Sequence, residues 1–151
     1  MSAAQQFQEM MASYDSHHQN RTNVMIHCFA VPAIYWSVIG LFWCLSLALG
    51  LSINLVWPLV IAVSLYYLTL SVRHGLFMSV ITLLMVLSVQ WIDMQQLPLL
   101  TLSIAVFVVM WLFQFWGHKI EGKKPSFLED LRFLLIGPLW WANHFIKAKF
   151  H

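Results

Sequence analysis

The chain alternates between long apolar runs and short polar segments. The first apolar run extends from Cys28 to Val72 without a charged residue or a histidine. Because a membrane span needs about 20 apolar residues, this run is long enough for two spans, with a break at Gly50-Leu51-Ser52-Ile53-Asn54. Two further apolar runs cover Leu76 to Ile92 and Leu97 to Trp116. The pattern predicts four transmembrane helices, at about 28–49, 54–72, 75–92 and 97–116.

The two ends of the chain are amphipathic. Residues 1–13 place Phe7, Met10 and Met11 at helical spacing among polar residues, which predicts a lead-in helix. The C-terminal segment 127–149 is apolar but interrupted by Gly137-Pro138, so we expect interfacial or re-entrant helices there, with Trp140 and Trp141 at headgroup level. The chain is therefore predicted to be a single membrane domain over residues 1–151.

Composition supports an all-α integral membrane fold. The chain is 60% hydrophobic and 9% charged, with a mean hydropathy of +0.73, whereas a soluble domain carries roughly 25% charged residues. That is too little polar surface to cover a soluble globule. The net charge of +2 is modest, and nothing in the sequence indicates a nucleic-acid partner.

The basic residues define the orientation. With four spans, both termini and the short connection at 72–75 lie on one face of the membrane, and the opposite face keeps only Asp93. Because basic residues mark the cytoplasmic side, we expect both termini there, in the bacterial inner membrane or the endoplasmic reticulum depending on the source. The basic residues on that face are Arg21, Arg73, Lys119, Lys123, Lys124, Arg132, Lys147 and Lys149.

A first polar cluster precedes the first span. In a helix that begins near Asn20, the residues Asn20, Asn23 and His27 form one stripe. His18 lies nine residues before His27, so the two would face opposite ways on one continuous helix. A site that they share therefore needs a helix break between them. Helix capping and interfacial hydrogen bonding are the alternative explanation for these side chains.

A second polar cluster follows the fourth span. His118 and Glu121 are three residues apart, so in a helix both can reach one site. Glu121 would be a ligand or would orient a ligand histidine, whereas Lys123 and Lys124 also fit the positive-inside pattern. His74, beside Arg73 in the predicted turn, is expected to be solvated.

Several histidines with carboxylates and amides suit Fe, Zn, Cu or Ni, and the sequence by itself does not choose among them. A metal site at the membrane surface would suit a lipid whose head reaches the metal. Two alternatives stay open. One is a two-metal lipid hydroxylase or desaturase, although His17-His18 is the only adjacent histidine pair. The other is a non-enzymatic membrane protein that binds lipid or metal.

Two blocks, YDSHHQNRTNVMIHCFAVP and QFWGHKIEGKKPSFLEDLRFLLIGPLWW, resemble a family of small membrane proteins, formerly a domain of unknown function. That family includes the fungal 2-hydroxy fatty acid dioxygenase of phytosphingosine breakdown. The resemblance covers nearly the whole chain. The residues that carry it are Tyr14, His18, Asn23, His27 and Pro32, then Gly117, His118, Glu121, Lys124 and Pro125.

The resemblance implies an Fe(II)-dependent α-oxidation that shortens a 2-hydroxy fatty acid by one carbon with O₂ and without 2-oxoglutarate. It also implies that His18, His27 and His118 are iron ligands or otherwise essential. Glu121 and Asn23 would be ligands or would support them.

One position departs from the family pattern. Where that pattern ends the Gly-Pro-Leu block with a Glu, this chain has His144. His144 is thus a fourth candidate metal ligand or a peripheral residue. Our own inference adds that Arg21, Lys123 and Lys124 hold the substrate carboxylate. The expected partners are a 2-hydroxy fatty acid, O₂ and membrane lipid.

Overall fold

The computed structural model describes residues 3–122 and 137–143, and every regular element within these ranges is a helix. The helices are α1 (Ala3–His17), α2 (Arg21–Ala48), α3 (Val56–Leu70), α4 (Val72–Met94), α5 (Leu99–Glu121) and α6 (137–143). The predicted all-α class is confirmed for this part of the chain. Most of the predicted interfacial segment 127–149 lies outside the described residues.

Three helices, α2, α4 and α5, are long and apolar enough to cross a membrane, which indicates a membrane protein. The helix α3 is apolar but has only 15 residues, or about 22 Å at helical rise, which is shorter than a hydrocarbon core of about 30 Å. The four predicted spans thus correspond to α2–α5, and the crossing of the membrane by α3 stays a prediction.

Helices α2 to α5 alternate in direction. Tyr35 bonds Thr82 near the middle of α2 and α4 at 2.9 Å, and Trp43 donates to Asp93 nearer their C-terminal ends at 3.1 Å, so these two helices are parallel. At the start of α4, a Cβ added to Gly75 would lie 2.7 Å from the Leu68 backbone nitrogen, and the two antiparallel helices α3 and α4 therefore approach closely.

The start of α2 meets the end of α5, whereas Gly40 in the second half of α2 meets Ser103 in the first turns of α5. We call the end of the bundle that holds residues 20–27, 71–75 and 117–121 the histidine end. The described basic residues Arg21, Arg73 and Lys119 lie at this end and Asp93 at the other, as the predicted topology requires.

Apolar side chains occupy both the interior and the outer surface of the bundle. The outward side chains include Phe29, 73% exposed, Ile53, 70% exposed, and Leu112, 62% exposed. Such an outer face suits lipid better than water. The buried cluster away from the histidine end consists of Ile39, Trp43, Val56, Val86, Val89 and Leu99.

Helix α1 packs across the histidine end. Its apolar stripe, Phe7, Met11 and Tyr14, is buried, which confirms the predicted amphipathic lead-in. This stripe contacts the C-terminal end of α3, the start of α4 and the inward face of α6; the cluster consists of Phe7, Met11, Tyr14, Tyr67, Leu70, Met78, Leu139, Trp140 and Ala142.

Helix α6 is bound to the bundle through its two indoles. Pro32 has no N–H, so the carbonyl of Cys28 one turn earlier lacks its helical donor, and Trp141 Nε1 donates to that carbonyl at 2.9 Å. Trp140 Nε1 donates to Asp15 at 2.6 Å. Trp140 is only 3% exposed, so protein rather than lipid surrounds this indole, and the headgroup level of the two indoles stays a prediction.

Candidate metal centre

The chain breaks its helical path between α1 and α2. Asn20 caps α2, and its side-chain oxygen accepts hydrogen bonds from Thr22 N at 2.9 Å and from Asn23 N at 3.5 Å. His18 therefore lies in the connection between the two helices. This is the break that a site shared by His18 and His27 requires, so His18 can approach α2 from the α1 side.

Three histidines from two distant parts of the chain meet at the histidine end. His18, His27 and His118 each offer one ring nitrogen, and these nitrogens lie within 4.8 Å of one another. The ring centroids are 4.3 Å apart for His18 and His27, 5.0 Å for His27 and His118 and 5.5 Å for His18 and His118. All three side chains are buried. In the described part of the chain this is the one group of three or more histidine, cysteine or carboxylate side chains close enough to share an ion.

Backbone carbonyls fix the tautomer of two of these rings. His18 Nδ1 lies 2.8 Å from Tyr14 O and His27 Nδ1 lies 3.0 Å from Asn23 O. Because a carbonyl oxygen only accepts hydrogen bonds, Nδ1 carries the proton in both neutral rings and Nε2 keeps its lone pair. A ligand histidine commonly has this arrangement, in which the second nitrogen donates to a carbonyl. The Tyr14 ring also stacks on His18 at 4.1 Å.

Glu121 lies beside the three histidines but outside their group of close nitrogens. Its Oε1 accepts from Gln19 N at 3.0 Å, and its Oε2 accepts from Asn20 N at 2.9 Å and from Asn23 Nδ2 at 3.0 Å. The carboxylate thus holds the connection that carries His18. Of the two roles that the sequence left open, this geometry favours support of the ligands.

Asn23 is fully buried between α2 and α5. Its backbone carbonyl accepts from His27, its amide donates to Glu121, and its side-chain oxygen lies against Gly117, where a Cβ would collide with it. Gly117 thus makes room for Asn23, and Asn23 connects Glu121 with His27.

The other candidate residues lie further away or outside the described residues. Arg21 is exposed at the first position of α2, whereas Lys123, Lys124 and His144 lie outside the described ranges. The expectation of a solvated His74 is wrong: this residue lies in the first turn of α4, and its ring bonds Ser71 at 2.8 Å and Asn143 at 3.2 Å. It does not join the group of three.

A cavity of about 30 Å³ borders the histidine group between α2 and α5, and Tyr14 of α1 and Gly137 of α6 also contribute to its wall. His27 and His118 form part of its wall, and Trp111 and Gln114 of α5 form another part. The sequence analysis did not select Trp111 or Gln114. One signal was available, because Gln114 is the only amide in the apolar run 97–116, and polar residues within spans often mark functional sites.

The donor set fits a first-row transition metal. Imidazole nitrogen suits Fe, Zn, Cu and Ni, and three protein ligands leave coordination positions for other molecules. His18, His27 and His118 would hold the metal, and the carbonyls of Tyr14 and Asn23 would orient two of the rings.

The chain matches known proteins over most of its length. The family model described as 2-hydroxy-palmitic acid dioxygenase Mpo1-like matches residues 4–149. The chain is 30% identical over 138 residues to the 2-hydroxy-palmitic acid dioxygenase MPO1 of Saccharomyces cerevisiae, which covers 91% of this chain and 75% of the yeast protein. No solved structure shows a significant match. The chain belongs to the Mpo1-like family.

Proposed function

We propose that this protein is a membrane dioxygenase that holds Fe(II) and converts a 2-hydroxy fatty acid into the acid that is one carbon shorter. The observation that carries the proposal is the buried group of His18, His27 and His118, which fits a metal, in a chain of the Mpo1-like family. A 2-hydroxy acid and O₂ can give the shortened acid, CO₂ and water, so the balanced reaction needs no 2-oxoglutarate and no further reductant.

The bound metal would supply positions for O₂ and for the hydroxyl and carboxylate of the substrate. The chain's own residues hold and shield that centre. Tyr14 and Asn23 fix two rings through their carbonyls, and α1 and α6 pack over the histidine end and restrict the access of water. Arg21, Lys123 and Lys124 are the proposed partners of the substrate carboxylate.

The proposed arrangement in the membrane has α2, α3, α4 and α5 as four spans, with the histidine end on the cytoplasmic side. The substrate tail would stay among the apolar outer side chains or in lipid while its head reaches the centre. The basic residues Arg21, Arg73 and Lys119 at the histidine end support this orientation.

Metal content tests the proposal most directly. We expect about one iron per chain in detergent-purified protein prepared without oxygen, with iron lost in His18→Ala, His27→Ala and His118→Ala. His74→Ala is the matched control, because His74 lies at the same end but bonds Ser71 and Asn143, and it should keep its iron.

The loaded protein should then consume O₂ and shorten 2-hydroxypalmitate, but it should leave palmitate unchanged, because palmitate lacks the 2-hydroxyl that helps to chelate the metal. Zinc in place of iron would favour a hydrolytic or structural site. An absence of metal would overturn the oxygenase and favour a carrier or scaffold of the same fold.

A further inference from the structure

The cavity beside the histidine group has a polar wall that the proposed metal ligands do not explain. Trp111, Gln114 and His118 follow one another at spacings of three and four residues, so they share one face of α5. This face lines the cavity opposite Val31 and Ile34 of α2. The cavity touches His27 and His118, whereas His18 is not part of its wall.

The Trp111 indole N–H is buried and has no hydrogen-bond acceptor in the part of the chain that the structure describes. An unsatisfied donor within a membrane bundle is costly, because lipid offers no replacement for water. Gln114, one turn closer to His118, is 9% exposed. Trp111 and Gln114 thus place two polar groups at the wall of a small cavity, at positions of an apolar helix where apolar side chains would also fit.

The chemistry and the size of the cavity limit what it can hold. An indole N–H only donates, so the missing partner is an acceptor such as an oxygen atom. Because one water needs about 10–15 Å³ of such volume, a cavity of about 30 Å³ has room for about two small molecules.

We infer that this cavity receives the small oxygen ligand of the centre, dioxygen, and that Trp111 and Gln114 are the positioning residues that donate hydrogen bonds to it. The inference rests on the proposed function, since a dioxygenase must admit O₂ to its metal. The apolar side chains of Val31 and Ile34 in the cavity wall also suit an apolar gas, whereas the lipid head would approach from the basic residues at the membrane surface.

Azide titration tests the inference, because azide is a small anion that binds metal centres and accepts hydrogen bonds. The variants are Trp111→Phe and Gln114→Leu, studied in protein loaded with Co(II), whose visible bands report the binding. The control is Trp116→Phe, which changes an exposed indole on the same helix. We expect azide to bind about tenfold more weakly to the two cavity variants and equally well to the control, with the metal content unchanged in all.

The kinetics of the iron enzyme separate the two substrates. Trp111→Phe should raise the KM for O₂ and leave the KM for 2-hydroxypalmitate as it is. A raised KM for the fatty acid with unchanged azide binding would overturn the inference and assign the cavity to the substrate head. Equal azide binding in metal-loaded wild type and variants would also overturn it. Failure of the wild type to bind metal would instead overturn the proposed function, and this inference with it.

Discussion

Glu121 accepts a hydrogen bond of 3.0 Å from the side-chain amide of Asn23, and this bond joins the end of α5 to the first turn of α2. The same carboxylate accepts from the backbone of Gln19 and Asn20. Glu121 therefore fixes the connection that carries His18 and the residue whose carbonyl orients His27. Since Glu121 also lies one turn after His118, its side chain connects the segments that carry all three histidines.

Glu121→Gln should weaken metal binding without removing the centre. Glutamine has one oxygen where glutamate has two, and its NH₂ cannot accept from a backbone N–H, so at least one of the three bonds is lost. Loss of such a supporting residue typically lowers metal affinity by about 10–100-fold. Competition with a chelator measures the affinity, and Glu9→Gln, an exposed carboxylate on α1, is the control. Wild-type affinity in Glu121→Gln would contradict this role.

Local sequence patterns were sufficient to predict part of this site. The stripe of Asn20, Asn23 and His27 was based on a helix that begins near Asn20, and α2 begins at Arg21. The helical phase of His18 and His27 showed that a shared site needs a break between them, and the structure has this break. The spacing of His118 and Glu121 predicted that both can reach one place, and the structure has both in the last turns of α5. The distribution of charged residues predicted that the basic residues lie at one end of the bundle and Asp93 at the other. The described basic residues agree with this prediction.

Contacts between distant segments could not be predicted in this way. The Cys28 carbonyl and Trp141 are 113 residues apart, and nothing local shows that a proline in one helix is matched by an indole in another. For the same reason the bond of Trp140 to Asp15 was not predicted, and His74 was assigned to solvent. The cavity depends on how α2 and α5 pack, so Trp111 looked like any other aromatic residue in a span.

Trp141→Phe should destabilise the protein, and Pro32→Ala should reduce that cost. The indole is the donor to the Cys28 carbonyl, and leaving a buried carbonyl without a donor costs about 1–3 kcal/mol. Alanine at position 32 restores a backbone N–H one turn after Cys28, which can replace the lost donor. The free energy of unfolding in detergent, measured for both single variants and the double variant, gives the coupling free energy between positions 32 and 141.

A positive coupling between these two sites, in which Trp141→Phe costs less in the Pro32→Ala background, is the expected result. Trp91→Phe, an exposed indole, should cost little in either background. Additive effects of the two substitutions would show that the indole does not compensate for the proline.

Two glycines at the α2–α5 contact should respond differently to the same substitution. A Cβ on Gly117 would collide with the Asn23 oxygen, and Asn23 cannot turn away without losing its bond to Glu121. A Cβ on Gly40 would collide with Ser103 Oγ, which has no hydrogen-bond partner in the described ranges and can rotate. Gly117→Ala should therefore lower metal affinity about tenfold.

Gly40→Ala is the matched control for this substitution, because it lies about 20 Å along α2 from His27 at helical rise. It should leave metal affinity unchanged, whatever it does to the free energy of unfolding. The same chelator competition measures both variants. Equal losses of affinity in the two would show that general loosening of the α2–α5 contact, and not displacement of Asn23, governs the centre.

Crossing of the membrane by the short helix α3 decides whether the predicted four-span topology is correct. If α3 crosses, the α3–α4 turn lies on the same face as α1, and the α4–α5 turn lies on the opposite face.

In a background without Cys28 and Cys44, single cysteines at Gln6, Val72 and Gln95, all exposed positions, report this through a thiol reagent that does not cross membranes. In sealed vesicles the reagent should label Gln6→Cys and Val72→Cys from one side and Gln95→Cys only after the vesicles are opened, or the reverse in inverted vesicles. If Val72→Cys is instead labelled only from the face opposite Gln6→Cys, and Gln95→Cys is labelled together with Gln6→Cys, α3 does not cross, and the basic residues would be divided between the two faces. Because α3 has only 15 residues, its crossing would require local thinning of the bilayer at this protein.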